Sequence, residues 1–451
     1  MYKFYLKDIK NYHEYEELIK VFLSRDDFEF VNSSEEATYS FSKNDDKNIL
    51  KQEIFLALSK DLNKLPPWGI ITGIRPVKLF GEVVNRVKTL EEAVDFFKEY
   101  YLVSNEKTQL TKGMYIYQQN IFGIPKPKSI GIYVSIPFCP TRCHYCSFPS
   151  NQVPDEEIAK YLVALHKEID FVGQKMRNAG LYAESIYIGG GTPTTLNSDQ
   201  VGELVSHLRR EFATDGLLEF TMEAGRPDTI TYEKLLIARN NGVDRISINP
   251  QTMKDETLKF VGRNHSTKEI LEAFEMAKSI DGLLINADLI AGLPMESLED
   301  FADSLKKVIN LNPDNITVHT LAIKRASKLV EIDKDFHYKQ ADIVRRMLDY
   351  AETKLNEKEY IPYYLYRQKQ MAGSLENVGY AKTGTECIYN ARIMEERQTI
   401  IALGAGGITK VYFPEENRLE RVPNVTNYQI YISRLEEMLD RKSKKLFEEV
   451  K

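Results

Sequence analysis

From residue 130 to about residue 320 the chain repeats a strand, a loop and a helix, and this alternation restricts its fold more than any other feature. IGIYVSI, SIYIGGG, LEFTMEA, RISINP, LLINADLI and NITVHTL are short and mostly apolar, as strands covered on both faces must be. Between them lie EEIAKYLVALHKEIDFVGQKM, VGELVSHLRREF, YEKLLIARNNG, KEILEAFEMAKSI and LEDFADSLKKVINL, whose apolar residues recur at helical spacing. Six βα-type units of this length predict a parallel sheet or a barrel. Chemistry-bearing residues gather at or just after the strand ends, which favours a barrel with one active rim.

The flanks read differently. In residues 1–125, YKFYLKD, DFEFVN and ATYSFSK suggest short strands, and ILKQEIFLALSKDL and VKLFGEVVNRV suggest helices, so an α+β accessory domain is expected there. FGIPKPKSI, with two prolines, reads as the linker to a core spanning 126–335. Residues 336–451 are expected to form a mixed, largely helical substrate-side region. The net charge of -6 gives no support for a nucleic-acid footprint. No apolar run approaches the roughly 18 residues of a membrane span, and no secretory signal is visible at the N-terminus, so a cytoplasmic location is expected.

Three of the four cysteines, Cys139, Cys143 and Cys146, fall within IPFCPTRCHYCSF, a C-x3-C-x2-C spacing after the first strand. A disulfide framework would spread its cysteines along the chain; a tight cluster points to metal. Three thiolates on one loop can hold three irons of a cubane cluster, leaving the fourth open to the amino and carboxylate groups of S-adenosylmethionine. The competing readings are a zinc site, for which His144 has poor reach, and three inert buried thiols. Cys387 stands alone in GTECIYN, and a buried free cysteine is the commonest reading of it.

IPFCPTRCHYCSFPS, IYIGGGTPT, DLIAGLP, PPWGIITGIRP and YRQKQMAGSLENVGYA carry a resemblance to the radical S-adenosylmethionine superfamily. Within it, the chain is most similar to the oxygen-independent coproporphyrinogen III dehydrogenase (oxidase) branch, its HemZ type above all. The resemblance covers most of residues 130–420, and the N-terminal region looks like the extra domain of the HemZ type. It implies an α/β fold, a partial (β/α)6 TIM-like barrel of the radical SAM type. It also implies a 4Fe-4S cluster on the three cysteines and bound adenosylmethionine, cleaved to a 5'-deoxyadenosyl radical.

Carried over by position, the cofactor-binding residues are Tyr133, Phe148, Gly190, Gly191, Thr192, Glu223, Gln251, Arg263 and Asp288. The glycines would meet the methionine amino group, with Thr192 adding a hydroxyl, and Glu223 would face the amino or ribose groups. Arg263 would pair with the methionine carboxylate, Gln251 and Asp288 would contact the ribose side, and Phe148 would stack on adenine. Tyr133, Phe148 and the charged residues also have plain structural readings as core or surface groups. The branch often carries a further cysteine two residues after the third; here that position is Phe148.

The resemblance implies a reduced tetrapyrrole substrate, coproporphyrinogen III, an electron donor such as flavodoxin or ferredoxin, and a monomer. Arg142, His319, Lys324, Arg325 and Arg367 are candidate partners for the substrate's carboxylates. Tyr363, Tyr364, Tyr366 and Tyr380 are candidate pocket walls, and Arg75 is a candidate anion contact. The rival readings are a haem chaperone or haem-binding protein, and a radical SAM enzyme that modifies haem or another tetrapyrrole. Chaperone relatives usually carry a His-containing haem-binding segment where this chain has MAGSLENVGYA.

Overall fold

The structure is a computed structural model that describes residues 1–73, 75–146, 148, 150–323, 327–329, 340–369 and 371–448. Packing divides the first 125 residues between two cores. β1 (Tyr2–Lys7), α1 (His13–Ile19), β2 (Phe28–Phe30), β3 (Tyr39–Ser42) and α2 (Lys47–Leu62) form a small parallel sheet, ordered β2-β1-β3, with two helices. Phe4, Leu18, Phe22, Ile54, Phe55 and Leu58 fill its separate core. α3 (Pro76–Val87), α4 (Leu90–Glu99) and α5 (Asn105–Ile121) instead send Phe80, Phe97 and Met114 into the principal core.

That principal core surrounds an 11-stranded sheet. β4 (Ser129–Ile136), β5 (Tyr182–Gly190), β6 (Glu219–Glu223), β7 (Arg245–Ser247), β8 (Leu284–Ala291) and β9 (Asn315–Thr320) are the six expected strands, parallel and in sequential order. The helices between them are α6 (Asp155–Ala179), α7 (Ser198–Phe212), α8 (Tyr232–Asn240), α9 (Asp255–Phe260), α10 (Thr267–Lys278) and α11 (Leu298–Asn310). Their starts are written locally: Asn197 with Gln200, Ser266 with Glu269 and Ser297 with Asp300 each form a reciprocal cap.

The tail contributes strands as well as helices. After α12 (Ala341–Asn356) come β10 (Ile361–Tyr366) and β11 (Asn377–Ala381), which extend the β9 edge antiparallel. α13 (Ile388–Glu395) is followed by β12 (Ile400–Leu403), parallel to β4, then β13 (Ile408–Phe413) and β14 (Arg418–Pro423). α14 (Tyr428–Ser433) and α15 (Leu435–Lys442) pack back on α6. β11 and β12 join β9 and β4, strands far along the chain, whereas β10, β13 and β14 pair with strands near in sequence; helical periodicity registers neither kind.

The sheet is strongly curled. α13 packs on both β5 and β10, which lie six places apart in the strand order. Its start is fixed by Glu219, the first residue of β6. That carboxylate accepts the N–H of Ile388 at 2.8 Å, the N–H of Tyr389 at 3.3 Å and the Cys387 thiol at 3.1 Å. An anion at a helix N-terminus satisfies otherwise orphaned donors. Arg245, first in β7, lies 3.7 Å from Glu219 and donates to Glu386 O and Asn315. The N-terminal end of the barrel is thereby closed. Cys387 is buried, its thiol pushed well up by burial and by the Glu219 charge, and its role here is structural.

Two sequence segments that carry the family resemblance meet beside the sheet edge. Arg367 donates to Ile71 O at 2.5 Å and to Ser374 O at 2.6 Å, and lies over the Trp68 ring. Trp68 donates to Glu376 at 2.7 Å, whose other oxygen holds buried Lys107, also at 2.7 Å.

The C-terminal helices are pinned by a fully buried ion pair. Lys442 and Glu168 lie 2.6 Å apart, and Glu168 also accepts from Gly404 N, Asn424 and Tyr431. Burial alone would raise the Glu168 carboxyl, but these donors outweigh it and hold it below the usual range. Glu168→Gln is expected to destabilise by about 3–5 kcal/mol, because Lys442 is left charged and uncompensated. Because the folded carboxyl titrates below the unfolded one, its contribution is complete above the unfolded pKa and fades as pH falls through the folded value. Urea unfolding at neutral pH and at pH about 4 checks both statements.

Candidate active site

Strand β4 delivers the cysteine loop to the C-terminal rim. The loop is held by backbone bonds: Cys139 N to Asn151 O at 3.1 Å, Asn151 N to Pro137 O at 2.9 Å and His144 N to Val261 O at 2.9 Å. Thr141 donates to Gly262 O at 3.3 Å, and Ser327 to His144 O at 2.7 Å. All three thiols are free and half-buried. Burial raises the Cys139 thiol and, with the neighbouring thiols adding, pushes Cys146 to about 11, so iron must displace protons to be bound. The set fits a cluster of several irons better than one zinc.

The glycine strip lies against this loop. Gly190 has φ +110°, and a Cβ on Gly191 would sit 2.5 Å from Phe138 O and 3.0 Å from the Cys139 Sγ. Gly191 N donates to Ile136 O and Thr192 N to Phe138 O, both at 2.8 Å, and the Thr192 hydroxyl lies 3.4 Å from Cys139 Sγ. Only residues without side chains leave a backbone cradle here. Thr194 bonds Ala224 O and Thr229, a turn-holding role.

Glu223 ends β6 beside Gly189, and its Oε1 accepts from the Tyr187 hydroxyl at 2.7 Å. Burial pushes this carboxyl to about 7, and the Asp288 charge adds to the rise, against the Tyr187 hydrogen bond and His319. Tyr133, paired with Tyr187 across β4 and β5, stacks with Tyr187 and Tyr389 at 6.3 and 6.1 Å. Gln251 has φ +68°, bonds the β8 backbone at Asp288 O, and keeps its buried Oε1 without a partner. Arg263 is buried. It donates to Gly225 O at 2.7 Å and Tyr145 at 3.2 Å, and its Nε is unpartnered. These two unfilled atoms are what a bound polar ligand would satisfy.

Asp288 accepts from Asn286 at 2.9 Å and lies 3.4 Å from His319 Nε2; His319 Nδ1 is 3.3 Å from the Tyr366 hydroxyl. Tyr364 meets Thr317 at 3.2 Å, and Tyr363 packs in the same aromatic cluster. Tyr380 belongs to the principal core instead. Phe148 is 61% exposed, so it is not a core residue. Arg367 spends its guanidinium on backbone carbonyls, and Arg75 pairs with Glu396 at 3.0 Å; both are structural. Arg142 sits half-buried on the cysteine loop, and Lys324 and Arg325 lie outside the described residues.

Sequence reasoning missed Arg226, Tyr187 and Tyr145. Arg226 is buried, grips Asp228 with two bonds and donates to Thr141 in the cysteine loop. The signal was an arginine between glycine and proline straight after Glu223. Tyr187 was hidden among apolar strand residues until strand register placed it opposite Tyr133.

Residues 133–308 match the radical SAM superfamily model. Oxygen-independent coproporphyrinogen-III oxidase-like protein HemZ of Bacillus subtilis strain 168 is 38% identical over 84% of this chain and 77% of its own length. The chain belongs to the HemZ-like family of radical S-adenosylmethionine proteins. Family relatives extend to the heme chaperone HemW of the same organism, 35% identical over 43% of this chain and 50% of that one. The solved coproporphyrinogen III oxidase HemN of Escherichia coli shares the fold, with a TM-score of 0.55, 23% identity, and coverage of 72% of this chain and 73% of that one. The family implies the 4Fe-4S cluster and adenosylmethionine that the cysteine loop and its cradle fit. Among the described residues, no helix is long and apolar enough to cross a membrane.

Gly191→Ala forces a Cβ into Phe138 O and Cys139, and is expected to cost about 1–3 kcal/mol. It should also lower the iron retained after anaerobic reconstitution. Gly113→Ala, exposed in α5 with nothing within 4 Å, is expected to stabilise by about 0.5–1 kcal/mol and keep full iron content. Unfolding midpoints and iron assays of both variants check the contrast.

Proposed function

We propose that this chain catalyses the anaerobic oxidative decarboxylation of coproporphyrinogen III to protoporphyrinogen IX. The observation that carries this reading is the extent of the likeness to the oxidase-like HemZ protein, which runs far beyond the cysteine domain. When bound, the cluster on Cys139, Cys143 and Cys146 and its adenosylmethionine supply a 5'-deoxyadenosyl radical that removes hydrogen atoms. Each of two propionates would lose a hydrogen atom to that radical, one electron to a separate one-electron acceptor, and its carboxylate as carbon dioxide, leaving a vinyl group. The electron for each turnover comes from a one-electron donor of the flavodoxin or ferredoxin class.

The chain's own residues bind and orient. The Gly190–Gly191 backbone and Thr192 hold the methionine amino group, and ionised Glu223 accepts a hydrogen bond from it. Arg263 directs its unpartnered Nε at the methionine carboxylate. Gln251 Oε1 and Asp288 accept from ribose hydroxyls, Tyr133 closes the methionine side, and exposed Phe148 covers adenine. Toward the substrate, His319 is held between Asp288 and Tyr366, which face both of its ring nitrogens, so a propionate would take the place of one of these partners to reach it. The stacked tyrosines exclude water from the barrel interior.

Anaerobic incubation with reconstituted cluster, adenosylmethionine, a strong reductant and coproporphyrinogen III should yield, by mass spectrometry, a product lighter by two carboxyl groups. Formation of 5'-deoxyadenosine without that product would sink the substrate assignment alone. Haem binding without cofactor cleavage would favour the chaperone activity named for HemW.

The Glu223 carboxyl, raised to about 7, gives a second test. Adenosylmethionine prefers its ionised form, so affinity should be flat above pH about 8 and about tenfold weaker at pH 6. Glu223→Gln should bind more weakly and lose this pH dependence. Equilibrium dialysis across that range measures both.

A further inference from the structure

On the outer face of the barrel, α6 and α7 bring together groups that the cysteine chemistry does not use. His166 and Asp170 lie one helical turn apart on α6, and His207 and Glu211 one turn apart on α7. His207 Nε2 lies 2.7 Å from Asp170 Oδ1, while its other nitrogen, Nδ1, lies 2.6 Å from His166 Nδ1. One ligand atom from each of Asp170, His207 and Glu211 lies within 4.8 Å of the others. The His207 side chain is only 8% exposed and Glu211 12%, whereas Asp170 is 62% exposed and opens the group to solvent. Glu211 can lie against α6 because residue 173 is glycine: a Cβ there would be 2.5 Å from Glu211 Oε2.

We propose that His207, Asp170 and Glu211 form a binding site for a divalent transition-metal ion such as Zn2+, with His166 as the outer partner of the ligating histidine. One imidazole and two carboxylates are a competent nitrogen–oxygen donor set, and the exposed side leaves a position for water. A metal-bound histidine commonly donates its second ring N–H to an acceptor that fixes its tautomer. His166 Nδ1 is placed to be that acceptor. Without metal, His207 Nε2–H donates to Asp170 and His166 Nδ1–H donates to His207. With metal on His207 Nε2, both neutral rings exchange tautomers: His207 carries its proton on Nδ1 and His166 on Nε2. Arg177, 2.7 Å from Glu211 Oε2, offsets one of the two carboxylates when no ion is present. The ion would fasten α6 to α7, the helices on either side of the strand that carries the glycine cradle.

The test uses cluster-loaded protein, so that the three loop cysteines are already occupied. Zn2+ is added, the protein is desalted, and zinc and iron are measured together. The wild type should retain one zinc per chain. His207→Ala and Asp170→Asn should lose it, with iron unchanged in both. Asp170→Asn is nearly isosteric at an exposed position, so its loss of zinc cannot be put down to misfolding. His166→Ala should weaken zinc about 10–100-fold in competition with a chelating dye. Equal zinc in the wild type and both ligand variants, or none in any of them, would overturn the proposal.

Discussion

Glu219 is the interaction on which the shape of this molecule turns. Its carboxylate gathers two backbone N–H groups, the Cys387 thiol and the Arg245 charge at the N-terminal end of the sheet. By fixing the start of α13, it wedges one helix between β5 and β10 and keeps the sheet curled. A flat sheet of the same strands would splay the rim. Curled, it points the ends of β4, β5, β6, β7 and β8 toward one space. A buried charge cluster is costly unless every lone pair is used, and here each carboxylate oxygen has partners.

The opposite end follows the reverse logic. At the rim, polar groups are buried and left partly unsatisfied: Gln251 Oε1 and Arg263 Nε lack partners, and Glu223 has its charge disfavoured by burial. A fold tolerates this where a ligand completes the set. The rigidity that maintains it comes from neighbours outside the ligand's reach. Arg226 ties the loop after β6 to Thr141, and Asn286 and His319 hold Asp288. At the closed bottom both Glu219 oxygens are engaged, although Arg245 Nε has no partner; at the rim the unpartnered atoms belong to Gln251 and Arg263, residues proposed to hold the cofactor.

The six parallel strands and their helices were legible because each is a local pattern: apolar strand runs, helical periodicity and caps such as Ser266 with Glu269. The cysteine loop and glycine strip were legible for the same reason. Residues 361–423 were harder: β11 and β12 join β9 and β4 far along the chain, and β10, β13 and β14 pair with strands near in sequence within a segment whose residues do not alternate clearly. Arg367 and Arg75 read as potential anion contacts because a sequence does not say where a guanidinium points. Both are engaged by groups that only folding brings near.

The sequence by itself determined the βα order, the C-x3-C-x2-C thiol set and the side-chain-free cradle at Gly190 and Gly191, all of which depend on neighbours within a few residues. Tertiary structure alone decided that Glu223 lies under the Tyr187 hydroxyl, that Gln251 and Arg263 each keep an unfilled atom, and that His166 faces His207. These are properties of burial and of distances across strands and helices. They arise from the free energy of the whole packed core, which no stretch of sequence carries on its own.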